Sequence, residues 1–119
     1  MEIRIDGKVA LITGGSQGLG KGMGCKFVEA GADVAILARN PEHLERAKSE
    51  IQASGSGKVM TISCDLLNPI ETKKAFKRAE KELGQIDILI NNAGTSKAGP
   101  FLEITDEEWQ NDFELKLFS

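Results

Sequence analysis

Near its start the chain carries the glycine-rich run Thr13-Gly14-Gly15-Ser16-Gln17-Gly18-Leu19-Gly20. The apolar run Val9-Ala10-Leu11-Ile12 precedes it, as expected of a buried parallel strand. A helix is predicted to follow, over about residues 18–30. Glycine permits positive φ and close approach of the backbone to a ligand, and the free amides that open a helix attract phosphate. The run therefore predicts a phosphate-binding turn, while tight packing of strand on helix is the alternative.

Outward from this turn, strands and helices alternate along the whole chain. Further strands are predicted at Asp33–Ala38, Val59–Ser63 and 86–90, and the Asn-Pro pairs at 40–41 and 68–69 each start a helix. This alternation predicts right-handed crossovers and a parallel sheet. The predicted fold is α/β, a Rossmann-type doubly wound sheet with four strands present. Since such sheets commonly have about six strands, residues 1–119 are expected to be the N-terminal part of a single nucleotide-binding domain.

Two helical patterns predict which helix faces are buried. Apolar residues of the first helix share one face at helical spacing, namely Leu19, Met23, Phe27 and Ala30. A capping box at 105–108 predicts a last helix that is still running at Ser119. Its apolar stripe is expected to drive self-association, and it consists of Trp109, Phe113 and Leu117.

Composition narrows the class of protein. The net charge of -3 argues against a general nucleic-acid binder, which usually presents a basic face. No apolar run approaches the ~20 residues of a membrane span, and the start lacks the apolar core of a secretory signal. A cytoplasmic protein without membrane contact is expected. Cys25 and Cys64 are interpreted as reduced thiols and His43 as solvated, so neither a redox centre nor a zinc site is favoured.

The glycine-rich turn is compatible with two phosphate-binding motifs. Its continuation into Lys21 is similar to a P-loop, but that motif next needs serine or threonine to hold magnesium, and this chain has Gly22. The spacing is T-G-x-x-x-G-x-G, which also differs from the standard G-x-G-x-x-G. Two further motifs follow predicted strands, Asp65 after the third and Asn91-Asn92-Ala93-Gly94 after the fourth.

In this order and on these elements, the three motifs resemble those of the short-chain dehydrogenase/reductase family. The resemblance covers nearly all of the chain and is greatest to the 3-oxoacyl-[acyl-carrier-protein] reductases. It implies that the turn surrounds the adenosine ribose and pyrophosphate of a nicotinamide cofactor, through Gly14, Ser16, Gln17, Gly18, Leu19 and Gly20. It further implies that Asp65 and Leu66 border the adenine, and that three residues run toward the nicotinamide, namely Asn92, Ala93 and Gly94. Thr13 is expected to brace the turn and Asn91 to tie strands together.

The end of the second strand bears on which cofactor is bound. An NAD enzyme places a carboxylate there to bond the ribose 2′-hydroxyl. Here the position is Ala38, and the next residue is Arg39, whose guanidinium can pair with a 2′-phosphate. NADP(H) is therefore predicted in preference to NAD, with a merely solvated arginine as the alternative.

The family's chemistry uses serine and a Tyr-x-x-x-Lys pair, and this sequence contains no tyrosine. The resemblance also implies an asparagine in the last helix, at a position that Lys116 occupies. Lys116 either joins a modified proton relay or is a plain surface lysine. The main hypothesis is that residues 1–119 are a fragment of an NADP(H)-dependent oxidoreductase that moves hydride between the cofactor and a small carbonyl or alcohol substrate. The fragment itself is expected to be inactive, and the full-length enzyme is expected to be a homo-oligomer. The alternatives are a non-catalytic dinucleotide-binding or regulatory module and an inactive truncated product.

Overall fold

A computed structural model describes residues 4–14, 18–91 and 114–117, and of Leu19 and 114–117 only the backbone. The elements are, in chain order, β1 (Val9–Thr13), α1 (Gly18–Glu29), β2 (Asp33–Ala38), α2 (Pro41–Gln52), β3 (Val59–Ser63), α3 (Pro69–Leu83), β4 (Ile88–Asn91) and β5 (Glu114–Leu117). The predicted elements up to β4 are confirmed to within two residues at each end.

The second and third helices begin where the Asn-Pro pairs predict. Asn40 caps α2, its side-chain oxygen accepting hydrogen bonds from the amides of Glu42 and His43. Asn68 caps α3 in the same way, and proline follows each cap at the first helical position. The longest helix, α3, has 15 residues. Across the described ranges, no helix has the length and apolar character needed to span a bilayer.

The sheet has the order β3-β2-β1-β4-β5. Its first four strands are parallel, as predicted. The chain builds outward from β1 to β2 and β3, then crosses back to place β4 on the other side of β1. The strand order therefore reverses beside β1, and in open α/β sheets ligands bind outside the carboxyl ends of the strands at such a reversal.

Helices cover both faces of the sheet, which is what doubly wound means. Successive strand residues point to opposite faces, so each apolar strand supplies two cores. The core on the side of α1 and α2 contains Ile12, Val34, Ile36, Leu44 and Ile51. The core on the side of α3 contains Leu11, Leu37, Met60, Phe76 and Leu89. Leu11 and Ile12 are both fully buried, and each such side chain contributes about 1.5–3 kcal/mol to folding.

The buried face of α1 differs from the predicted one. Met23 and Phe27 are only partly buried at the border of the core, whereas Val28 is fully buried. Gly24 lies on the same face as Val28, and a Cβ there would come within 2.8 Å of the Ile51 side chain. Gly24 allows the backbone of α1 to approach Ile51 of α2 closely, so a small residue sets the contact face, which a search for large apolar side chains overlooks.

The predicted last helix is wrong for residues 114–117. They form β5, which pairs antiparallel with β4, Glu114 lying opposite Asn91 and Leu117 opposite Ile88. The edge of β4 offers unpaired backbone groups, and the alternation Glu-Leu-Lys-Leu fits a strand as readily as a helix. This pairing also covers one edge of β4. The rest of the predicted helix, and with it Trp109 and Phe113, lies outside the described residues.

Candidate functional site

The four parallel strands end at one edge of the sheet, and the predicted site residues Gly14, Arg39 and Asp65 follow three of them there. Thr13, the last residue of β1, lies opposite Leu37 of β2 and opposite Asn91 of β4. Ala38 lies opposite Ser63 at the ends of β2 and β3. The segments that follow these strands therefore emerge side by side at the carboxyl edge. This edge includes the reversal of strand order beside β1, where a ligand crevice is expected.

At the end of β1, the backbone of the glycine-rich turn adopts conformations that favour glycine. Gly14 has φ 69° and Gly18 has φ 56°. The Gly14 amide donates to the Leu37 carbonyl at 2.7 Å, which ties the turn to β2. Among the described residues, and apart from Gly18's chain neighbours and its own helix backbone, no atom lies within 4 Å of the place where a Cβ at Gly18 would stand. Ser16, Gln17 and the Leu19 side chain lie outside the described residues.

Helix α1 starts at Gly18 and faces the same edge. Its first turn has no acidic residue, so no carboxylate of its own competes for the free amides there. Gly20, in that turn, is buried against the fold. An anion at the helix N-terminus would meet the N-terminal amides and the positive end of the helix dipole.

Beneath the turn, Thr13 and Asn91 tie β1 to β4. The Thr13 hydroxyl donates to the Asn91 side-chain oxygen at 2.9 Å, and both residues are buried. The tie predicted for Asn91 is thus found, with Thr13 as its partner. The Asn91 amide nitrogen is buried and has no partner within the described ranges. Its neighbours Asn92, Ala93 and Gly94, predicted to run toward the nicotinamide, lie outside those ranges.

At the end of β2, Ala38 is buried and Arg39 projects from the edge. The Arg39 carbonyl accepts a hydrogen bond from the Ser63 hydroxyl at 2.9 Å, and the Ala38 carbonyl accepts one from the Cys64 amide. These bonds fix the Arg39 backbone, while its side chain remains 78% exposed. Sequence reasoning missed Ser63, although its place at the end of the neighbouring strand was a usable signal.

Across the end of β3, the Arg39 guanidinium lies 3.6 Å from the Asp65 carboxylate. The Asp65 amide donates to the Glu71 carboxylate at 3.0 Å, and the Asp65 carboxylate accepts from the Leu67 amide at 2.9 Å. Leu66 is half-buried against the core beside α3. Arg39, predicted to pair with a 2′-phosphate, and Asp65, predicted to border the adenine, are therefore neighbours in the fold.

Cys64 lies next to this pair and stays a neutral thiol. Burial, and secondarily the negative charges of Glu71 and Asp65, raise its pKa to about 11. A nucleophilic cysteine needs a lowered pKa, so this environment opposes such a role. Cys64 and the half-buried Cys25 are both free cysteines.

Lys116 lies in β5, where it pairs with Leu89 of β4, and not in a helix. The helical count that aligned Lys116 with the family's asparagine therefore does not hold for this segment. Lys116 is the third of the four residues of β5, and its backbone lies beside the middle of β4. Its part in a proton relay stays a prediction.

Comparison with known proteins extends the likeness over almost the whole chain. The family described as short chain dehydrogenase matches residues 8–119. An uncharacterized oxidoreductase of Caenorhabditis elegans is 45% identical over 103 residues, which are 86% of this chain and 32% of that protein. This chain thus spans about a third of the length of that relative.

Two solved structures have the same arrangement of strands and helices. L-sorbose reductase from Gluconobacter frateurii, complexed with NADPH and L-sorbose, has a TM-score of 0.74 and 33% identity over 92% of this chain and 42% of its own. NAD+-bound xylitol dehydrogenase has a TM-score of 0.72 and 28% identity over 76% of this chain and 35% of its own. The likeness to 3-oxoacyl-[acyl-carrier-protein] reductases in particular stays a prediction.

Proposed function

The chain belongs to the short-chain dehydrogenase family, and on that premise we propose that it binds NADP(H) in preference to NAD(H). The protein to which this fold belongs would move hydride between that cofactor and a small carbonyl or alcohol. The proposal rests on the arrangement of residues at the carboxyl edge of the sheet. There Gly14 and Gly18 of the glycine-rich turn, at the reversal of strand order, share the edge with an exposed guanidinium at the end of β2.

The residues present fit the adenosine half of such a cofactor. The open space beside Gly18 and the free amides of α1 suit a pyrophosphate. A Cβ at position 18 would leave that residue strained, which costs about 1–2 kcal/mol. We propose that Asp65 and Leu66, which follow β3, border the adenine. The roles of the remaining turn residues, Ser16, Gln17 and Leu19, and of Asn92, Ala93 and Gly94 rest on the family resemblance.

The preference for NADP(H) rests on Ala38 and Arg39. One structural neighbour is complexed with NADPH and another is NAD+-bound, so the fold alone does not select the cofactor. A carboxylate at position 38 would bond a ribose 2′-hydroxyl and repel a 2′-phosphate, and alanine does neither. Arg39 offers a planar, permanently charged donor for the phosphate oxygens.

The cofactor supplies the hydride, and the described residues bind and orient it. Thr13 and Asn91 hold β1 against β4 beneath the turn, so the floor of the site is fixed before the nucleotide binds. A proton donor for the carbonyl oxygen is a separate requirement, and no tyrosine is available to meet it in residues 1–119. We therefore propose that a polypeptide of these residues binds the cofactor without turnover.

A second candidate is a non-catalytic dinucleotide-binding or regulatory module. Both candidates share the same nucleotide site and differ only in turnover. The homo-oligomer and the cytoplasmic location that the sequence suggests stay predictions.

Amide chemical shifts give a direct test of the site. On titration with NADPH, we expect the largest changes at Gly14, Gly18, Gly20, Arg39 and Asp65, because these residues stand at the carboxyl edge of the sheet. Gly57 and Gly84 precede β3 and β4 at the opposite edge and serve as internal controls. Changes that centre on the control glycines, or none at saturating NADPH, would refute the proposed site.

A further inference from the structure

The Arg39–Asp65 pair joins the residue proposed to hold the 2′-phosphate to a carboxylate of the same site. Its nitrogen–oxygen distance is 3.6 Å, beyond ordinary hydrogen-bond length, and the Arg39 side chain is 78% exposed. The Asp65 side chain, at 36% exposed, is far more enclosed. Arg39 is therefore the mobile partner, and Asp65 is the fixed one.

Three contacts hold Asp65 in place independently of Arg39. Its carboxylate accepts a hydrogen bond from the Leu67 amide, and its own amide donates to the Glu71 carboxylate. Its carbonyl accepts from the Asn68 amide at 3.0 Å, at the cap of α3. The Asp65 backbone is thus held from two sides, and its carboxylate keeps the Leu67 amide as a partner when the guanidinium turns toward another anion.

We propose that Asp65 competes with the cofactor's 2′-phosphate for Arg39 and thereby limits how strongly the protein selects NADP(H) over NAD(H). This inference rests on the proposed function. Binding of the phosphorylated cofactor exchanges one anionic partner of Arg39 for another, whereas binding of NAD(H) leaves the ion pair intact. Because the 3.6 Å pair is loose and exposed, a phosphate with several acceptor oxygens outcompetes it, at a cost that only the phosphorylated ligand bears.

Asp65 is accordingly a positioning residue that acts through Arg39. Its direct contact with an adenine would be common to both cofactors and would cancel in their ratio. Two ligands that differ only in the 2′-phosphate isolate the effect, namely adenosine 5′-monophosphate and adenosine 2′,5′-bisphosphate. Both occupy only the adenosine half of the site, and their binding is measured by calorimetry without any catalytic readout.

The informative variant is Asp65→Asn. Asparagine keeps a side-chain oxygen for the Leu67 amide and removes the charge that holds Arg39. We expect the affinity ratio, bisphosphate over monophosphate, to rise about two- to five-fold, the range that corresponds to an exposed ion pair. Asp65→Ser also keeps an oxygen without charge and should raise the ratio similarly, so the test does not depend on the folding of one variant.

Two controls test whether Asp65 changes the affinity ratio through Arg39. In the background of Arg39→Ala, Asp65→Asn should leave the ratio unchanged, as a double-mutant cycle requires. Glu82→Gln makes the same charge change at the far end of α3, where Glu82 pairs with Arg78, and should also leave the ratio unchanged.

The outcomes separate this inference from the function on which it rests. Suppose that wild type prefers the bisphosphate and that Arg39→Ala abolishes this preference, but that Asp65→Asn leaves the ratio unchanged or lowers it. This result overturns the competition alone and leaves the NADP(H) assignment standing. A rise that persists without Arg39, or that Glu82→Gln reproduces, also overturns it. If wild type does not prefer the bisphosphate and Arg39→Ala has no effect, both the NADP(H) assignment and the competition are wrong.

Discussion

Replacing Ala38 with aspartate and Arg39 with isoleucine is expected to reverse the cofactor preference from NADPH to NADH. The change removes the guanidinium that pairs with a 2′-phosphate and adds a carboxylate that bonds the ribose 2′-hydroxyl. A hydrogen bond to a charged group contributes about 1.5–3 kcal/mol, or roughly 10- to 150-fold in affinity. Since the affinity for NADPH should fall and the affinity for NADH should rise, the ratio of their dissociation constants should shift by about 100-fold or more.

Single variants separate the two contributions. Arg39→Ile alone should weaken NADPH and leave NADH nearly unchanged, while Ala38→Asp alone should weaken NADPH by repulsion and strengthen NADH. The Arg39 backbone is held through its carbonyl by Ser63, so either change should leave the end of β2 in place. Fluorescence titrations of the four proteins provide the comparison. An unchanged NADPH preference in the double variant would show that another group recognises the 2′-phosphate.

A polypeptide of residues 1–119 is expected to bind NADPH but to show no reductase turnover. A positioned general acid contributes roughly 10²- to 10⁴-fold to such reactions, and no tyrosine is present to supply the proton. Cys64 is a poor substitute because it is buried and its pKa is raised to about 11, which makes it a weak proton donor. Oxidation of NADPH with a panel of ketones is the assay.

The assay needs material whose intact mass matches the 119 residues, so that a contaminating full enzyme does not supply the activity. A tyrosine-containing relative serves as the positive control under the same conditions. Protein-dependent oxidation that scales with the concentration of verified material would contradict the expectation. It would also mean that a residue other than tyrosine donates the proton.

Local signals were sufficient to predict most of the fold. Polar residues and turns mark the ends of the apolar strands. Each Asn-Pro pair combines a capping side chain with a fixed φ and so marks the start of a helix. Each element is therefore specified within its own segment. The parallel order then follows from alternation of strand and helix. This is why the sequence could assign Gly14, Arg39 and Asp65 to the segments that follow the first three strands.

The errors lie where tertiary partners decide the outcome. Glu114–Leu117 has a pattern that fits helix or strand, and the free edge of β4 selects the strand. The contact face of α1 is set by the closeness of Gly24 to Ile51, which no count of large apolar residues detects. The contact between Arg39 and Asp65 depends on the register of β2 on β3, which sequence alone left undefined.

The central claim is that this carboxyl edge binds a nicotinamide cofactor and selects it by the 2′-phosphate. Parallel titrations of the unmodified protein with NADPH and NADH, followed by the fluorescence of the reduced nicotinamide, test it most directly. We expect saturable binding of both, with NADPH tighter by about 10-fold or more, as one charge-assisted contact implies. Tighter binding of NADH, or no saturable binding of either, would contradict it.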